Sequence, residues 1–272
     1  MVSPIFRYGS WLLGLSSSIF LITSQSFSQN PPPTQNTPNP SGNFSISPVM
    51  VSINSEAPAP NTFFTVRNDS SLPKRLQVAA YRWTQTDPST PTLEPTEEVV
   101  LFPLLFTLEP NQSRQLRLGI TAPPTTVEKT YRVIVEELPS PQTQNKQGTG
   151  INIRLAMSIP VFFQPKQPQS QPGITNLVNN KGKFAFNLTN TGNAHYMAKE
   201  IQVTGTDSSG KTLWQKSRQG WYVLANSAIL YGLELPKTDC QKVINLTVNL
   251  KTDNNANVSE SLLTPQGVCP SS

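Results

Sequence analysis

From Ile151 to Val161 every second residue is large and apolar: Ile151, Ile153, Leu155, Met157, Ile159 and Val161 alternate with Asn152, Arg154, Ala156, Ser158 and Pro160. A period of two is that of a β-strand, whose successive side chains leave opposite faces. The run is about twice the usual strand length of 5–6 residues, so part of it should extend beyond its own sheet. An overhanging strand with bare apolar side chains invites another chain to pair with it. The same alternation suits a plain sandwich strand whose apolar face lies in its own core, and periodicity alone does not separate the two readings.

The rest of the chain repeats the pattern in shorter runs. Phe44–Ile53, Thr62–Val66, Arg75–Trp83, Val99–Phe106, Gln115–Ile120 and Tyr131–Val135 precede the run that ends at Phe163, with turn residues such as Asn68-Asp-Ser-Ser71 and Glu109-Pro-Asn111 between them. Seven short strands at this spacing predict an immunoglobulin-like sandwich. Pro165–Gly173 is Pro- and Gln-rich and reads as a linker. Beyond it Ile174–Val178, Lys183–Leu188, Lys199–Thr204, Thr212–Gln215, Ala228–Leu235 and Val243–Leu250 predict a second sandwich. Only 14% of residues are charged and 26 are proline, a composition that disfavours helices. The expected fold is all-β: two immunoglobulin-like β-sandwich domains, 43–165 and 174–272, with an inter-domain cleft and a 166–173 linker.

The N-terminus reads as an export signal over residues 1–28. Arg7 supplies the positive charge, Trp11–Ile22 the apolar stretch, and Ser26-Phe-Ser28 the small residues before cleavage. An uncleaved membrane anchor is the other reading, although the stretch is short for a span of roughly 20 residues. Residues 29–42, with five prolines among Asn, Thr and Gln, form a Pro-rich disordered tether that cannot bury apolar surface. An exported chain with two cysteines, Cys240 and Cys269, suggests one disulfide. It would close a loop of about 30 residues and contribute roughly 3 kcal/mol in the chain-entropy account.

Enzyme readings find no support. His195 is the one histidine, so a zinc hydrolase lacks its ligands, and it reads as a structural or surface residue. No Gly-x-Ser-x-Gly, phosphate loop or dinucleotide motif is present. Glu97-Glu98 and Glu136-Glu137 are sequence neighbours, which on a strand point to opposite faces and make no acid–base dyad. The net charge of +5 is scattered, without a dense basic tract, so nucleic acid is not an expected partner. No cofactor, metal or small-molecule substrate is expected. A carbohydrate-binding module would show a row of exposed aromatics; Trp214, Trp221 and Tyr222 are read instead as core. Asn68-Asp-Ser70 and Asn245-Leu-Thr247 match glycosylation sequons.

Four segments resemble the periplasmic pilus-assembly chaperones of the chaperone–usher pathway. Tyr131-Arg-Val-Ile-Val-Glu-Glu-Leu-Pro139 resembles the family's signature strand, and Ser158-Ile-Pro-Val-Phe-Phe-Gln-Pro165 the end of its last N-terminal-domain strand. Phe44-Ser-Ile-Ser-Pro-Val-Met-Val51 resembles the first strand, and Leu108–Arg117 the turn and strand before the signature. The resemblance implies a chaperone that donates its alternating strand to the incomplete sandwich of a pilin-like subunit, through Ile151, Ile153, Leu155, Met157 and, as a lesser contributor, Ile159. An outer-membrane usher would then take the subunit. The family's two cationic anchors for the subunit's terminal carboxylate align with Met50 and Pro160, neither of which can bind an anion. The anchor is therefore absent, relocated or shared by residues such as Arg154 and Lys166. Arg117 and Glu128 align with a structural ion pair. The alternative to this family is an exported two-domain adhesion or surface-binding protein.

Overall fold

The structure, a computed structural model, describes residues 43–87, 90–139, 154–180, 182–238, 240–264 and 268. The expected leader and tether, together with Ile151, Ile153 and Cys269, lie outside the described residues. Within them the regular structure is all strand.

Ten strands fall between residues 44 and 164: β1 (Phe44–Ser47), β2 (Val51–Asn54), β3 (Asn61–Asn68), β4 (Lys74–Asp87), β5 (Thr90–Pro95), β6 (Val99–Phe102), β7 (Leu105–Leu108), β8 (Ser113–Ile120), β9 (Lys129–Glu137) and β10 (Ala156–Gln164). One sheet has the order β1-β3-β8-β6; the other has β2-β10-β9-β4-β5, with β7 pairing the start of β4. Two expected single strands are each divided by a proline. The run from Phe44 becomes β1 and β2 across Ser47–Pro48, and the run from Val99 becomes β6 and β7 across Phe102–Pro103, so the chain changes sheets at both points. Alternation survives the change: Phe44, Ile46, Val51 and Ile53 are all buried. They join Phe64, Val66, Leu76, Leu116, Leu118, Tyr131, Val133 and Val161 in one core between the sheets.

Eight more strands follow: β11 (Pro172–Asn180), β12 (Lys183–Asn190), β13 (Tyr196–Thr206), β14 (Thr212–Arg218), β15 (Tyr222–Val223), β16 (Ser227–Glu234), β17 (Asn245–Thr252) and β18 (Asn257–Leu263). The sheets β11-β12-β16 and β14-β13-β17-β18 enclose a second core around Phe184, Phe186, Tyr196, Val203, Leu246 and Val248. The linker packs on the turn after β12. Gly192 has no room for a side chain there, since a Cβ would lie 2.3 Å from the Gln169 carbonyl.

The two sandwiches share a third cluster. Phe162 of β10 and Trp83 of β4 are buried against Leu224, with Tyr222 packed alongside. Gln85 fastens the junction. Its Nε2 donates to the Tyr222 carbonyl at 2.9 Å, and its Oε1 accepts from the Leu224 N–H at 2.9 Å and the Ser227 hydroxyl at 3.1 Å.

Candidate functional site

Strand β10 occupies an unusual position. All of it but the last residue pairs antiparallel with β9, from Ala156 opposite Glu136 to Phe163 opposite Lys129. On its other side β2 pairs with it in parallel, but only from Val161 to Gln164. The edge from Ala156 to Pro160 has no strand partner among the described residues. The Glu137 N–H donates to the Leu155 carbonyl at 2.9 Å, which fixes the phase of the ladder. Odd-numbered residues exchange their backbone bonds with β9, and the backbone groups of Ala156 and Ser158 point to the open edge. Pro160 shares that outward phase, so its missing N–H costs no bond to β9, the placement that suits proline in a sheet.

The apolar side chains of this strand divide by depth. Leu155 and Met157 are half-buried and pack at the margin of the first core. Ile159 is buried at 3% exposure within that core. This corrects its assignment as a donated residue: the alternation carries it inward, where its own sandwich already covers it. On the opposite face Phe162 is fully buried at the junction, stacked on the His195 ring with centroids 3.5 Å apart.

Charged residues are arranged differently from the sequence expectation. Glu128 does not meet Arg117. Its buried carboxylate lies 2.9 Å from His195 Nδ1 and accepts the His195 backbone N–H at 3.1 Å, which ties the second sandwich to the first. A carboxylate only accepts, so Nδ1 carries the hydrogen. Arg117 is exposed on β8, between Phe63 of β3 and Phe102 of β6, on the far side of its sheet from the core. The reading of His195 as structural agrees with this geometry. Arg154 is exposed, and Lys166 makes an exposed pair with Glu56 at 3.3 Å. Met50 is 41% exposed just before β2, while Pro160 is buried.

A cation that sequence reasoning missed stands directly across from Pro160. Arg132 of β9 is only 6% exposed, with its guanidinium 3.7 Å above the Trp83 ring and 5.5 Å from the Trp221 ring. Burial lowers its pKa to about 10, so it stays charged at neutral pH. Nothing in the sequence separates it from the other scattered arginines; only the fold reveals its burial. Tyr222 lies beside it, and its hydroxyl donates to the Met50 Sδ at 3.4 Å. Trp221, read from the sequence as core, is 52% exposed. Among the described residues no group of three or more His, Cys, Asp or Glu side chains could hold a metal ion, and no helix is long and apolar enough to cross a membrane.

The fold recurs in solved structures. A chain of the CsuC–CsuE chaperone–tip adhesion subunit pre-assembly complex, from the archaic chaperone–usher Csu pili of Acinetobacter baumannii, matches with a TM-score of 0.57 at 18% identity, over 81% of this chain and 98% of that chain. The class 5 fimbriae chaperone CfaA matches at 0.51 and 13% identity, over 82% and 100% of the two chains. The YadV chaperone matches at 0.51 and 14% identity, over 81% and 99%. At these identities the likeness shows the fold, a pair of immunoglobulin-like sandwiches. No curated protein matches in sequence. The family described as "pili and flagellar-assembly chaperone, PapD N-terminal domain" matches residues 32–169, just over half of the 272-residue chain. By that match, the chain belongs to the pili and flagellar-assembly chaperones.

Proposed function

We propose that this chaperone captures pilin-like subunits in the periplasm by adding the open edge of β10 to a subunit's unfinished sheet, and holds them for an outer-membrane usher. The observation that carries the reading is the edge from Ala156 to Pro160, unpartnered among the described residues and bordered by half-buried Leu155 and Met157. A subunit strand laid there takes up the backbone groups of Ala156 and Ser158. Moving Leu155 and Met157 from the core margin into a subunit groove removes their remaining apolar surface from water, at about 25 cal/mol per Å². In the sequence the same alternation continues back through Ile153 and Ile151, which we assign to the donated set. Residues 1–28 then serve as the export signal and 29–42 as a tether. In that oxidising compartment we assign Cys240 to a disulfide with Cys269. The family is one of assembly chaperones, not of enzymes.

Co-expression of the full-length chain with the pilin-like product of a neighbouring gene, followed by affinity capture, tests the proposal. A stoichiometric complex is expected for the native chain. The double substitution Leu155→Asp and Met157→Asp should weaken capture at least tenfold while the variant retains its cooperative melt, since both residues lie at the core margin. A double variant that captures as well as the native chain, or a native chain that captures nothing, rejects strand donation.

A further inference from the structure

We infer that Met157 is an oxidation site through which the capture edge is switched off: conversion of its thioether to the sulfoxide places a polar oxygen in the donated apolar row and blocks subunit binding, and a captured subunit in turn shields the sulfur. The inference rests on strand addition to β10 and adds a form of control to it.

Sequence and fold bring three features together at this residue. Ile151, Ile153 and Leu155 of the donated row carry nothing that a mild oxidant attacks, whereas Met157 carries sulfur. Its side chain is half-buried at the margin of the first core. It stands within the stretch of β10 whose outer edge has no strand partner among the described residues, so solvent reaches it until a strand is added. Its neighbours on the same face are Leu155, Ile159 and, across the ladder, Val135. All three side chains are aliphatic, and none can donate a hydrogen bond to a sulfoxide.

The chemistry needs one co-reactant, a two-electron oxidant such as hydrogen peroxide. A sulfur lone pair attacks one peroxide oxygen, the O–O bond breaks and an S–O bond forms. The proton on the transferred oxygen passes to the departing hydroxide, which leaves as water. Sulfur is thereby oxidised and peroxide reduced, and a flexible apolar side chain becomes a polar one. At the core margin of the free chaperone the new oxygen can face water. In the donated position it would be buried in an apolar groove without a donor, the costly state for a polar group. Oxidation therefore weighs against the bound state more than against the fold. Thiol-dependent methionine sulfoxide reductases reverse the step: the oxygen leaves as water while two thiols become a disulfide.

Met50 and Met197 serve as internal controls. Met50 is 41% exposed and its sulfur accepts the Tyr222 hydroxyl, while Met197 is half-buried on β13. Neither belongs to the donated row.

The test treats the purified full chain with hydrogen peroxide, removes the excess with catalase, and reads sulfoxide at each methionine by peptide mass spectrometry. The chain is then offered the pilin-like subunit, diluted from urea, and the complex is recovered by affinity capture. The oxidised native chain should keep its cooperative melt and capture about tenfold less subunit than the untreated chain. Met157→Leu, a swap that apolar sites tolerate, should capture equally before and after peroxide. Met50→Leu and Met197→Leu should lose capture on oxidation as the native chain does. Met157→Gln should capture weakly without any oxidant. In the preformed complex Met157 should oxidise several-fold more slowly than in the free chain. Undiminished capture by a chain fully oxidised at Met157, an equal loss in Met157→Leu, or a loss that accompanies the melt overturns the switch and leaves strand addition standing. An untreated native chain that captures nothing overturns strand addition, and the switch with it.

Discussion

At the scale of single residues, polar side chains bind the sheets together. Glu98, just before β6, accepts hydrogen bonds from Lys129 Nζ, the Tyr131 hydroxyl and an Arg82 nitrogen, each at 2.7 Å. Burial pushes its carboxyl upward, but the bonds from Lys129 and Tyr131 and the charges of Arg82 and Lys129 outweigh that and hold its pKa at about 2. A carboxyl held below its unfolded value stabilises the fold fully above the unfolded pKa. That stabilisation is lost as pH falls from about 4.5 towards 2, because the unfolded chain takes up the proton first. Urea melts across this range should show the native chain losing about 1–2 kcal/mol more than Glu98→Gln, a figure reduced for a carboxylate that is partly exposed. A parallel loss in both proteins would mean that the cluster contributes nothing specific. Asn68 shows what a sequon can conceal. It is buried, its amide donates to the carbonyls of Leu72 and Leu108, and its Oδ1 accepts from Ser70. It is a structural hub with no room for a glycan.

At the scale of elements, the phase of β10 makes a sharper test than side-chain replacement. Ser158 directs its backbone to the open edge, whereas Met157 and Ile159 bond to β9. Ser158→Pro therefore removes an outward N–H without breaking an inward bond. Its melting temperature should fall by no more than a few degrees, as for proline at a sheet edge, while subunit capture falls tenfold or more. Capture that survives this change would place the contact on side chains alone. The alternation from Ile151 to Val161 made the existence of this strand legible in the sequence. Which part of it is open was not legible, because that depends on where the parallel partner β2 stops. β5 and β18 were missed for a related reason. β18 is an edge strand with the burial pattern eieeeie, so its sequence, Asn-Val-Ser-Glu-Ser-Leu-Leu, carries no buried face to announce it. β1 and β6 were legible as apolar runs, but their change of sheet at Pro48 and Pro103 leaves no trace in the period.

At the scale of the whole molecule, the decisive feature is that the residues presenting the open edge also build the junction. Phe162 lies two residues beyond Pro160 on the same strand, with its ring between Trp83, Tyr222 and His195. Arg132 stacks on the same Trp83, and Glu128 reaches His195 from the start of β9. The second sandwich thus packs beside the closed end of the edge, with Tyr222 against the Phe162 ring. Sequence reasoning identified Phe162 as part of a strand and His195 as structural. It could not bring them together, because their contact spans the linker and has no local signature. Removing the Phe162 ring should cost about 3–5 kcal/mol, as for other fully buried aromatics, and most of that loss should appear as lost coupling between sandwiches. Calorimetry of the native chain should show a single cooperative transition. Phe162→Ala combined with Gln85→Ala should divide it into two, since the three Gln85 bonds and the aromatic cluster carry most of the packing between the cores, with the Glu128–His195 contact beside them. A single transition in the double variant would show that coupling runs through the Glu128–His195 contact or the linker instead.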